Sequence, residues 1–151
     1  MSACSKSTTY EVYNGTSGYG MYDVKAYEYS GSNAVGFYDI GYLSANASSG
    51  SIEANKDAKQ VKIAFKFVPN GDVYTTADYY NITQGSHTMI LIEDHTQVIG
   101  GSKGAISVEN VLLKWLKDLS NIFRSLGQNR EILAVLAQTR LFVSMKCLLL
   151  Q

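Results

Sequence analysis

Near residue 104 this 151-residue chain changes character abruptly, and that seam constrains its fold more than any motif does. All eleven Tyr lie between Tyr10 and Tyr80, and twelve of the thirteen Gly lie at or before Gly104. Leu does the reverse: only Leu43 and Leu91 precede the seam, and eleven follow it. Tyr suits pleated, half-buried surfaces, whereas Leu is a strong helix former. The expected organisation is a β-sandwich domain over residues 1–99, a Gly-rich linker over 100–104 and an amphipathic helical tail over 105–151. Two origins fit such a change. One is a genuine tail that binds a partner; the other is a fusion or frame disruption that replaced the natural end of the β domain.

In the front piece, alternation is clearest in Lys59–Phe67, where Val61, Ile63, Phe65 and Phe67 share one face and Lys62, Ala64 and Lys66 the other. Pro69-Asn70-Gly71-Asp72 is a turn by residue chemistry. A strand over Val73–Ile82 and another over His87–Glu93, the latter apolar on both faces, suggest a hairpin. Tyr10–Tyr13, Tyr22–Tyr29 and Val35–Leu43 are earlier strands. In Tyr22–Tyr29 the alternation slips, since Tyr22, Val24 and Ala26 share a face while Tyr27 and Tyr29 take the other; a bulge or a solvent-side Tyr pair would explain it. Many short strands with frequent turns predict a mainly β chain, an antiparallel, immunoglobulin-like β-sandwich. The Cys-Trp-Cys signature of antibody-type domains is absent.

In the tail, Val108, Val111, Leu112, Trp115, Leu116, Leu119, Ile122, Phe123 and Leu126 recur at helical spacing, with Ser107 as N-cap, Glu109 in the first turn and Gly127 as the stop. A second helix from Asn129 would complete an αα-hairpin. Leu112, Trp115, Leu119, Ile122, Phe123 and Leu126 form the expected helix interface. Docking on the chain's own sandwich is the first expectation for that stripe, followed by self-association or another protein partner; the polar face is only weakly basic, which disfavours a membrane surface.

Net charge is zero overall, −3 before the seam and +3 after it, so a nucleic-acid role is not expected. Cys4 and Cys147 lie at opposite ends, without metal-ligand or redox spacing. No apolar leader follows Met1, and the most apolar window, Ile132–Leu150, is interrupted by Gln138, Arg140 and Lys146.

Several segments carry a family resemblance: Tyr10–Thr16, Ser48–Glu53, Lys59–Phe67, Val73–Tyr80 and Ile90–Val98. In their order, residues 4–98 resemble the small secreted or surface lipoproteins of Bacteroides-type bacteria. Chains of that kind end soon after the strand matching Ile90–Val98, so the tail departs from the pattern. Met1-Ser2-Ala3-Cys4 resembles the end of a lipobox, which implies a lipid anchor on Cys4 if a signal segment precedes it. The cell envelope is the location implied in that case, and the cytoplasm if Met1 is the true start.

Chemistry-bearing residues are scattered. His87 and His95 would lie about 27 Å apart on an extended strand, too far to share a metal. Asp72, Asp78, Glu93 and Asp94 sit at turns and strand ends, where acids usually serve solvation rather than glycosidase chemistry. No Ser occupies a nucleophile elbow, and no Gly-rich loop has phosphate-cradling spacing. Sequons occur at Asn14, Asn46 and Asn81. The Tyr cluster alone has functional appeal, because ring faces stack on sugars or anchor a partner: Tyr27, Tyr29, Tyr38, Tyr42, Tyr79 and Tyr80 are the candidates, although filling strand positions in a half-wet sandwich is the plainer expectation for them. The resulting expectation is a non-enzymatic, cofactor-free binding or structural module of the cell envelope, with a glycan as the ligand class the Tyr face would suit. The alternative is a module acting through its helices on a second copy or a protein partner.

Overall fold

The structure is a computed structural model that describes residues 6–100 and 103–126. Its strands are β1 (Thr9–Asn14), β2 (Met21–Ser30), β3 (Asn33–Leu43), β4 (Ala47–Ser48), β5 (Ile52–Glu53), β6 (Gln60–Lys66), β7 (Tyr74–Thr76), β8 (Tyr80–Asn81), β9 (His87–Ile92), β10 (Gln97–Gly100) and β11 (Lys103–Ser107), followed by helix α1 (Val108–Leu126). They build two sheets. In the smaller, β1 is central, with β4 and β5 antiparallel on one side and β9 on the other. The larger runs β11-β10-β7-β6-β2-β3, all antiparallel, with β8 also paired to β6.

The mainly β expectation holds, with one correction to the antiparallel reading. β9 lies parallel to β1 in an unbroken register from Thr9↔His87 to Asn14↔Ile92. Parallel neighbours need a long crossover, and here the larger sheet supplies it, so no local signal marks the pair. The expected hairpin of 73–82 with 87–93 does not form, because β7 and β8 belong to the larger sheet and β9 to the smaller. Residues 73–82 split in two: the Thr76 hydroxyl accepts the Ile63 N–H (3.2 Å) and donates to the Asp78 carbonyl (3.1 Å), which breaks the ladder there. β9 also alternates instead of being buried on both faces, with Ile90 and Ile92 in the core and Met89 in solvent.

The inner faces share one core. Tyr10 and Val12 of β1 and Ile90 and Ile92 of β9 meet Val24 and Ala26 of β2, Val61, Ile63 and Phe65 of β6, and Val98 of β10. This is the alternation expected for β6, although Ala64, placed on its outer face, is also buried by the strands on either side.

Of the residues expected to form a linker, Gly100 ends β10 and Lys103 and Gly104 open β11. Gly100 pairs with Lys103, Val98 with Ile106 and Gln97 with Ser107, so β10 and β11 run antiparallel on either side of the seam. Compact packing continues to Leu112, and the chain divides between Leu112 and Leu113, not near residue 100. The start of α1 explains why. Its first N–H groups need acceptors: the Val108 N–H finds the Thr96 carbonyl (3.0 Å), Glu109 the Asp94 carbonyl (2.9 Å), and Asn110 the Ser107 hydroxyl (3.3 Å). Ser107 is thus the N-cap the sequence indicated, and Val108, Val111 and Leu112 join the β core. One helix is present among the described residues; the second helix expected from Asn129, and the stop at Gly127, lie outside them.

Candidate functional site

Most of the aromatic side chains singled out in the sequence gather on the outer face of the larger sheet, and a bulge in β2 puts them there. Asp23 takes a left-handed backbone conformation (φ 49°), and the pairing register of β2 shifts on both sides of it. The extra residue turns Met21, Val24, Ala26 and Glu28 inward and Tyr22, Lys25, Tyr27 and Tyr29 outward. Tyr22 therefore lies on the face opposite Val24, not beside it.

Across strands, Tyr27 stands opposite Phe37 of β3 and Lys62 of β6, and Tyr29 opposite Gln60. Ring pairs follow: Tyr22 with Tyr42 at 4.8 Å between centroids, Tyr27 with Phe37 at 6.2 Å, and Tyr29 edge-on to Tyr79 at 5.2 Å. Lys62 also holds Tyr79, its Nζ 4.3 Å from the ring centroid while it donates to the Ala77 carbonyl at 3.0 Å. Such pairs fix ring orientation and add about 0.5–1.5 kcal/mol each beyond area burial. Phe37 (65% exposed), Tyr42 (57%) and Tyr79 (42%) still open to solvent.

Four charges on this face pair off locally. Lys66 Nζ lies 2.7 Å from Asp23 Oδ2, and Lys25 Nζ 4.0 Å from Asp39 Oδ2. The Lys66 hydrogen bond, with the Lys66 charge, holds the Asp23 carboxyl below the ordinary carboxylate range. The face thus offers apolar ring surface edged by hydrogen-bonding groups, with two of its cations in ion pairs and Lys62 against the Tyr79 ring.

Two of the six candidate tyrosines are elsewhere. Tyr38 pairs with Ala26 and so projects on the core side of β3, although it remains 50% exposed. Tyr80 pairs with Val61, also on the core side. Its phenol reaches the Leu91 carbonyl at 3.4 Å in a cleft of about 290 Å³ shared with Thr76, Asp78, Glu93 and His95. Burial raises the Tyr80 pKa; the Thr96 hydroxyl works against that, and Asp78 and Glu93 add to it. The cleft brings together two of the four acids considered from sequence, Asp78 and Glu93, with His95 Nε2 3.2 Å from Glu93 Oε2. Asp94 is engaged otherwise, accepting the Ser17 N–H (3.1 Å) and hydroxyl (2.6 Å). His87 faces Thr9 and Glu11. No group of His, Cys, Asp and Glu among the described residues could hold a metal ion.

Sequence reasoning overlooked Tyr22, Phe37 and Lys62 as members of the aromatic face. Its own alternation for β6 put Lys62 outward, and a bulge placed at Asp23 would have added Tyr22. Of the sequons, Asn14 is fully buried with its side chain committed to four hydrogen-bonding groups, whereas Asn46 and Asn81 are exposed. Of the helix-interface residues, Leu112 is part of the β core, Trp115 and Leu119 are half-buried, and Ile122 is exposed. The side chains of Phe123 and Leu126, and Cys4, lie outside the described residues. No helix among the described residues is long and apolar enough to cross a membrane. No family model, curated protein or solved structure matches the chain.

Proposed function

We propose that this chain is a non-catalytic binding module whose outer sheet face takes an uncharged glycan. The exposed rings of Phe37, Tyr42 and Tyr79, held by their ring partners, carry the reading. Sugars present apolar C–H faces that pack on aromatic rings and hydroxyls that need nearby polar partners. Lys25, Asp39, Gln60 and Lys66 are the polar groups at hand on the same face. Preset rings lose little freedom on binding. An immunoglobulin-like sandwich is the scaffold this reading assigns, supported by two sheets of short strands around one core. The likeness to Bacteroides-type surface lipoproteins supports a place in the cell envelope, with a lipid on Cys4 once an upstream signal segment has been cleaved.

Glycan-array binding followed by calorimetry with neutral oligosaccharides at millimolar concentration tests the reading. Tyr42→Ala and Tyr79→Ala are each expected to weaken binding about 5- to 10-fold, as truncating an aromatic anchor typically costs more than 1 kcal/mol. No binding by the wild type, or binding unchanged in the double variant, removes the aromatic face from consideration. A second reading, in which the helical segment binds a protein partner, draws on Leu113, which stays 45% exposed. Shortening the chain after Leu112 should then abolish partner capture and leave glycan binding intact.

A further inference from the structure

β3 is an edge strand eleven residues long, and its backbone polarity can be followed residue by residue. The Tyr29 carbonyl accepts the Lys59 N–H (2.8 Å), so the odd-numbered residues of this part of β2 direct their main chain toward β6 and the even-numbered ones toward β3. Ala26 and Glu28 therefore bond Tyr38 and Gly36. Val35, Phe37 and Asp39 must point their N–H and C=O groups away from the sheet. The Asn55 side-chain amide confirms the alternation independently by donating to the Val35 carbonyl at 3.0 Å.

What stays open is a window over Phe37–Asp39. Asn55 closes one end, and at the other Gly41, at φ 81°, takes β3 out of regular register. Among the described residues no strand pairs on this side. The remaining edges are short or engaged: β11 has only five residues, β4 and β5 have two each, and the Leu91 carbonyl of β9 meets the Tyr80 hydroxyl. An unpaired, aromatic edge without bulge or unpaired charge at its centre is a template for another strand.

We propose that the β3 edge pairs with β3 of a second copy, antiparallel about a two-fold axis through Tyr38. In this register Phe37 lies opposite Asp39 of the second copy, and the outward N–H and C=O groups of both residues are paired. The window is too short for a long peptide, yet it matches itself completely under a two-fold axis. Its single charge, Asp39, already has Lys25 beside it at 4.0 Å, and the register keeps the two Asp39 side chains diagonal rather than opposite. Sliding the pair toward Asp39 would oppose like charges, and sliding it toward Val35 would use a carbonyl that Asn55 occupies. Phe37 (65% exposed) and Tyr38 (50%) then flank the seam on its two faces, Phe37 edge-on to its diagonal counterpart, which aromatic side chains can reach. The contact is isologous and so closes at the dimer.

Light scattering of the full chain across concentration should give twice the 16.6 kDa chain mass at the upper end. Asp39→Pro removes an N–H that points only outward, so it should return the mass to monomer with unchanged circular dichroism. A monomeric wild type, or a folded Asp39→Pro protein that stays dimeric, overturns the proposal. Where Asp39→Pro does not fold, cross-linking decides. In a Cys4→Ser, Cys147→Ser background, Tyr38→Cys meets its own copy at a Cα separation of about 4.5 Å and should oxidise to a covalent dimer. Ala34→Cys, on the same exposed strand but far from the axis, should not. Failure of the first, or equal cross-linking by both, overturns the proposal. Glycan binding can fail without affecting any of these outcomes.

Discussion

Glu28 is a carboxyl group only 4% exposed, between two sheets of apolar side chains. Burial of such a group is tolerable because it is served twice: Oε1 accepts the Tyr10 hydroxyl (3.0 Å) and Oε2 the Asn55 N–H (3.1 Å). Burial, with the charge and hydrogen bond of Glu28, pushes the Tyr10 pKa well above its ordinary value of 10.0. Tyr10→Phe keeps the ring and strips one donor from Glu28, so it should cost about 1–3 kcal/mol in denaturant unfolding. The same pair sets a pH limit. A raised folded-state pKa contributes stability that is intact below about pH 10 and lost above it, where the unfolded chain releases a proton the folded one retains. The unfolding midpoint should fall above pH 10, and less steeply in Tyr10→Phe. Asn14 is a second staple: its amide donates to the Tyr19 (2.7 Å) and Leu43 (3.1 Å) carbonyls and its oxygen accepts from Thr16. Because that side chain is fully used and buried, a sequon there is closed to modification once the chain has folded.

At the scale of elements, the β3 irregularity depends on Gly41, which has positive φ and open space where a Cβ would stand. Gly41→Ala therefore tests the backbone alone and should destabilise by about 1–2 kcal/mol, measured by thermal melting. Removing the helix cap with Ser107→Ala should cost about 0.5–2 kcal/mol. What was readable in the sequence divides along the same line of local against distant cause. β6 and the Ser107 cap were legible because alternation and capping are written in neighbouring residues. The slip in β2 was legible as a slip, but its position at Asp23 was not, since the positive φ is fixed by pairing with β3 and β6. Val73–Ile82 read as one strand because nothing near Thr76 announces that its hydroxyl will occupy a ladder position against Ile63. Four of the six tyrosines chosen for stacking do share a face; Tyr38 and Tyr80 do not, because facing follows from cross-strand register and not from residue type.

For the molecule as a whole, the compositional seam and the structural one differ. Composition divides the chain near Gly104, whereas packing carries the β unit on to Leu112. Leu and Val in a helix can complete a β core, so a shift in residue usage does not by itself locate a domain edge. A chain ending at residue 99 forfeits β11 and the burial of Val108, Val111 and Leu112, each worth about 1.5–3 kcal/mol. It should lose cooperative unfolding, whereas one ending at Leu112 should keep it, as a urea titration of both would show.

The parallel run of β1 beside β9 has a mechanical consequence. Tension applied between the segment before Thr9 and the segment after Ile92 drags these two strands lengthwise past each other. Every rung from Thr9–His87 to Asn14–Ile92 is then strained at once instead of peeling open singly. A protein tethered by its front end and pulled from beyond Ile92 would resist rupture through that shear, and its survival under load would follow its rate of forced opening rather than its equilibrium stability.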